Sequence, residues 1–159
     1  MDELISNLIT LLSNQFTTTF KSYEYGKVEI PATSDLPMIT VNPVSTVVSN
    51  SGTVRDVNDF SVEVVVYANA KKYLDNISTS STTRTALQQL VRWMEDRDTD
   101  GVTTASSIVS VIRRNITASG AVLFNNQINI DYSDYITNEE FPVVKAKATF
   151  TAQSRSDRN

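Results

Sequence analysis

The chain has 159 residues, a mass of 17.6 kDa, a net charge of −4 and a pI near 4.8, the size of one ordinary domain and the wrong sign for a phosphate-backbone binder. It contains no His and no Cys, which excludes Ser-His-Asp triads, thiol nucleophiles, zinc fingers, haem ligation and disulfides. Four scattered glycines form neither GxGxxG nor GxxxxGK[ST], so no phosphate-cradling loop is expected. Nearly one residue in three is Ser, Thr or Asn, a composition suited to caps, turns and solvent-facing strand positions.

Residues 2–20 predict an amphipathic helix. Leu4, Ile5, Leu8, Ile9, Leu12, Phe16 and Phe20 follow the i, i+3, i+4 rule, and Asp2 and Glu3 suit the positive end of the helix dipole. The start carries two acidic residues in place of the positive n-region of a signal peptide, so none is expected, and no apolar run approaches the roughly 20 residues that span a bilayer. Gly26 closes this element. A β-rich region follows, with strands expected at 28–30 and 38–41, each bounded by proline, and an interruption near Pro43. Val44–Val48 and Val54–Val57 flank Ser49-Asn50-Ser51-Gly52, a hairpin-like turn cluster. Phe60–Ala68 is the clearest strand: Phe60, Val62, Val64 and Val66 share one face, Ser61, Glu63, Val65 and Tyr67 the other.

A helix pair comes next. One helix runs from a cap at Thr82 or Thr83 to Asp96, with Leu87, Leu90, Val91 and Met94 on its buried face. The second runs from Thr103 or Thr104 to Arg114 and buries Ala105, Ile108, Val109 and Ile112. Strands are expected at 122–132 and 143–152, joined by a polar protruding loop over 133–142. The segment Ser154–Asn159 has no apolar residue and is expected to be a polar tail, disordered or ordered by a partner. The result is one domain over 1–153, α+β, with a mostly antiparallel sheet against an N-terminal helix and a central helix pair.

Three constellations could carry chemistry. Asp96-Arg97-Asp98-Thr99-Asp100-Gly101 matches the first half of a calcium-binding EF-hand loop, but Ser107 at position 12 cannot supply the bidentate carboxylate. A solvated turn is favoured over a weak calcium module. Glu139 and Glu140 are adjacent in a polar stretch and lack the separation that two-carboxylate hydrolysis needs. Lys145 and Lys147 share the polar face of the last strand, where they pair with Glu63 across the sheet or face a neighbouring subunit. Trp93 is expected to pack in the core. No catalytic residue, cofactor or resident metal is expected.

The order of DELISNLITLL, LPMITV, FSVEVVVYANAKK, ALQQLVRWMED, INIDYSDY and VVKAKATFTAQ resembles the tail terminator (tail completion) proteins of long-tailed bacteriophages. The resemblance implies an α+β fold and a homo-hexameric ring in the virion, assembled in the host cytoplasm. That ring caps the tail tube and joins it to the head connector; another neck or connector protein is the nearest alternative. The acidic balance fits a lumen that passes DNA without specific binding. The stretch 44–59 and the aspartate-rich turn 96–101 depart from the usual pattern. Mixed charge makes Arg55, Asp56, Asp59, Arg155 and Arg158, with Lys145 and Lys147, the expected oligomer or partner contacts.

Overall fold

The structure, a computed structural model, describes residues 1–29, 31–50, 55–70, 86–97, 99–100, 104–115, 117–118, 121–123, 127–138 and 141–157. Helix α1 covers Asp2–Gln15 and buries Leu4, Ile5, Leu8 and Leu12, the stripe its spacing predicts. It stops before the run Thr17-Thr18-Thr19, at Phe16, whose backbone (φ −118°, ψ 39°) leaves the helical region. Phe16 and Phe20, expected on the helix, are instead buried just beyond it, with their rings edge to face at 5.7 Å.

The first strand is not where proline bracketing placed it. Strand β1 is Ser22–Tyr25 and runs parallel to β2, Met38–Asn50. Gly26, at φ +92°, turns the chain and donates its N–H to the Val41 carbonyl. Val28 lies outside any strand and packs against Leu36, Met38, Val65 and Tyr67. Strand β2 also continues through Pro43. A shift of register between Pro43 and Ser45 absorbs the proline, with Val44 as the extra residue.

Strand β3, Arg55–Asn69, starts well before Phe60. Its alternation is as read: Val62, Val64, Val66 and Ala68 join the main core, while Val65 and Tyr67 join a smaller cluster on the opposite face. Helix α2, Ala86–Glu95, packs Ala86, Leu90 and Met94 inward. Leu87 and Val91 are exposed, a correction to the predicted face: the buried row runs strictly i, i+4, so residues one step round the helix point to solvent. Its expected caps, Thr82 and Thr83, lie outside the described residues. Trp93 packs on Phe20 with ring centroids 5.0 Å apart.

Helix α3, Ile108–Arg114, begins after the expected cap Thr104; Thr103 lies outside the described residues. The Ser107 hydroxyl caps it by accepting from the Ser110 N–H. Ile108, Val109, Val111 and Ile112 are buried and Ala105 is exposed. The remaining strands are β4 (Thr117–Ala118), β5 (Ala121–Leu123), β6 (Asn129–Asn138) and β7 (Phe141–Asp157).

The sheet order is β1-β2-β3-β7-β5-β4, with β6 also paired to β7. Only β1–β2 is parallel among the described pairs. The fold is therefore α+β, a mostly antiparallel sheet with α1, α2 and α3 on one face. Among the described residues no helix is long and apolar enough to cross a membrane.

Candidate interaction surface

Two segments singled out in the sequence come together here. Strands β2, β3 and β7 extend past the helix-covered core, whose last layer on this side is Phe60 and Ala152. Beyond it, residues 47–50, 55–59 and 153–157 form an arm of three strands, with β5 alongside only at Gln153. Arg55 is in register with Asp157, Asp56 with Ser156, Val57 with Arg155 and Asp59 with Gln153. Gln153 Nε2 donates to Asp59 Oδ1 at 2.8 Å. Residues 154–157 are thus strand rather than a free polar tail. Pairing along β3 supplies backbone partners on one edge, so the segment is ordered without an apolar residue of its own. Arg158 lies outside the described residues.

The outer strand of the arm was missed as a site. β1 covers β2 only as far as Val41, and among the described residues no strand pairs the outer side of Ser45–Asn50. Val47 and Val48 point to opposite faces, with 58% and 61% of their surface exposed. The available signal was Ser45-Thr46-Val47-Val48-Ser49, a β-prone run with neither charge nor proline to blunt an edge.

On the sheet face away from the helices, a second constellation crosses four strands. Asn42 Nδ2 (β2) donates to Glu63 Oε1 (β3) at 2.9 Å; Lys147 Nζ (β7) lies 3.9 Å from Glu63 Oε2 and 3.6 Å from Asp131 Oδ2 (β6). Lys147 therefore serves as an internal stitch, as the Glu63 alternative had it, in a cleft of about 660 Å³ that Lys27, Val28 and Lys145 also line. Buried Tyr67 donates to the Val28 carbonyl at 3.2 Å, and its burial raises the phenol pKa. Lys145 is in register with Tyr67 and Ser133. The structure thus separates the candidate residues: Arg55, Asp56, Asp59 and Arg155 in the arm, Lys145 and Lys147 in the cleft.

The expected protruding loop 133–142 is mostly strand: β6 runs to Asn138 and β7 begins at Phe141, with Ile136 opposite Val143 and Asn138 opposite Phe141. Glu139 and Glu140 lie outside the described residues. In the aspartate turn, Asp96 Oδ2 accepts from Thr104 Oγ1 at 3.3 Å and lies 3.8 Å from Arg92 Nε, while Arg97 pairs with Glu95 at 3.2 Å. The Asp96 pairing to Arg92 follows from their i, i+4 spacing at the end of α2. Asp98 is outside the described residues, and among those described no cluster of three metal-ligating side chains forms.

Strand β6 is tied to α2 where Tyr132 donates to Glu95 Oε1 at 2.7 Å. Burial, then the Glu95 hydrogen bond and charge, push the Tyr132 phenol well above its ordinary value.

No protein-family model and no curated protein matches this sequence.

Proposed function

We propose that this chain is a structural ring subunit of a bacteriophage neck, capping the head-proximal end of a long tail tube and joining it to the head connector. The observation that carries the reading is the arm. It extends past the core and brings mixed charge from two remote parts of the chain into one register. Charge of mixed sign suits register and specificity at a wet ring-to-tube joint. The α+β sheet-and-helix architecture is the one that the resemblance to tail terminators implies.

In this reading six copies close head to tail, since a ring requires two different complementary surfaces on each subunit. The acidic chain lets DNA pass the lumen without counterion-release affinity. Assembly takes place in the host cytoplasm and the product resides in the virion. A calcium module is the weaker reading, because Asp96 already spends a carboxylate oxygen on Thr104 and Arg92.

The test is electron microscopy of tails assembled with and without the protein. Tubes of one fixed length carrying a collar support the role. Tubes of the same length distribution in both samples contradict it.

A further inference from the structure

We infer that the free edge of β2 pairs with the same edge of a second copy, antiparallel, about a two-fold axis at Val47. This goes beyond the ring reading and does not depend on it.

The edge calls for an extended backbone. Within Val44–Asn50 alternate residues direct main-chain groups to a side that no described strand pairs, and all side chains from Val44 to Ser49 are exposed. Natural edges are blunted by charge, proline, a bulge or a cover. Here those devices stop at the Pro43–Ser45 bulge. From Ser45 to Asn50 the sequence has neither charge nor proline, and no described strand covers it.

The occupant follows from self-complementarity. A two-fold antiparallel pair joins residues of the same sheet face. Ser45, Val47 and Ser49 face away from the helices, in register with Ser61, Asp59 and Val57; Thr46 and Val48 share the other face, in register with Phe60 and Asn58. Centred on Val47, the pairing sets Val47 opposite its own copy and Ser45 opposite the second Ser49. On the other face Thr46 meets the second Val48. β-Branched side chains meet one another on both faces, hydroxyls meet hydroxyls, and no like charges oppose, the combination that favours cross-strand pairs. Val47 and Val48, the two most exposed of the three valines in this stretch, each gain a β-branched cross-strand neighbour. The fit ends where β1 begins to cover β2 at Val41, which limits the pairing to Val44–Asn50.

Because the chain lacks Cys, one engineered thiol reports one contact. Directly opposed antiparallel residues lie about 4.5–5.5 Å apart at Cα, within the span a disulfide bridges. Under mild oxidation of the full-length chain, Val47→Cys is expected to form a covalent dimer at least tenfold faster than Asp131→Cys, an exposed control on β6. Val47→Lys, which sets like charges on the axis, is expected to halve the mass seen by sedimentation with the circular dichroism spectrum unchanged; Val48→Lys does the same from the other face. Equal cross-linking of Val47→Cys and Asp131→Cys, or no cross-link at all, overturns the pairing. A six-chain mass with a silent Val47→Cys overturns the pairing and leaves the ring. A cross-linked dimer with no larger species supports the pairing and removes the ring.

Discussion

The Gln153 amide donates to the Asp59 carboxylate across 94 residues of sequence, and it does so in a part of the sheet that none of the described helices covers. The bond joins the stretch before the clearest strand to the polar end of the chain, and it locks the arm in register. Asp59→Ala is therefore expected to cost about 1 kcal/mol of folding stability. In a double-mutant cycle, Asp59→Ala and Gln153→Ala should couple by about 0.5 kcal/mol or more, since they share one contact. Urea unfolding of the four variants measures it, and strict additivity would show that the bond contributes nothing in solution.

Helix α2 gives a sharper contrast between neighbouring leucines. Leu90 is fully buried and Leu87 is 46% exposed. Leu90→Ala is expected to destabilise by about 2–5 kcal/mol, while Leu87→Ala should stay within about 0.5 kcal/mol. Thermal melts of the two variants decide it, and equal losses would mean that the helix is rotated from the face seen here.

Tyr132 sets an alkaline limit on stability. Its phenol is held protonated in the folded state, while the unfolded chain releases the proton near pH 10. The contribution is fully present below pH 10; above it the unfolded state binds fewer protons, so stability falls as pH rises toward the elevated folded value. Tyr23 and Tyr67, raised by burial, act in the same direction, and Tyr25 does so through its hydrogen bond to Asp2. Tyr132→Phe is expected to flatten the decline between pH 10 and 12 in denaturant midpoints. An unchanged slope would contradict the Tyr132–Glu95 bond.

Calcium is expected to be dispensable. The aspartate turn is closed by Thr104 and Arg92, and Ser107 caps α3 instead of completing a ligand set. Asp98→Ala should shift stability by no more than a lost cap, about 1 kcal/mol, and added chelator should leave assembly intact. Chelator-induced disassembly reversed by calcium alone would contradict this.

These contrasts show which parts of the molecule were legible in the sequence. The β3 alternation from Phe60 to Ala68 and the α1 stripe were readable because each is set by local period against one apolar layer. Leu87 and Val91 were misplaced because a helical period fixes a stripe without fixing how far the helix is rotated against its sheet. Ser22–Tyr25 and Ser154–Asp157 were missed as strands because neither carries a local apolar signal; they are ordered by backbone partners at Met38–Val41 and Arg55–Asn58. Pro43 looked like a break because the bulge that absorbs it exists only in the paired state. Of the candidate contacts, the charges of the arm were visible and the uncharged edge between them was not. That edge is recognisable only once the absence of a described neighbour beyond Val41 is known.

The central claim is that this chain works as a closed ring, and the mass of the native particle tests it most directly. Native mass spectrometry or light scattering of the purified full-length chain should give six chains, or a multiple of six where β2 edges join two rings. A monomer, still monomeric when tail tubes are added, would contradict the account.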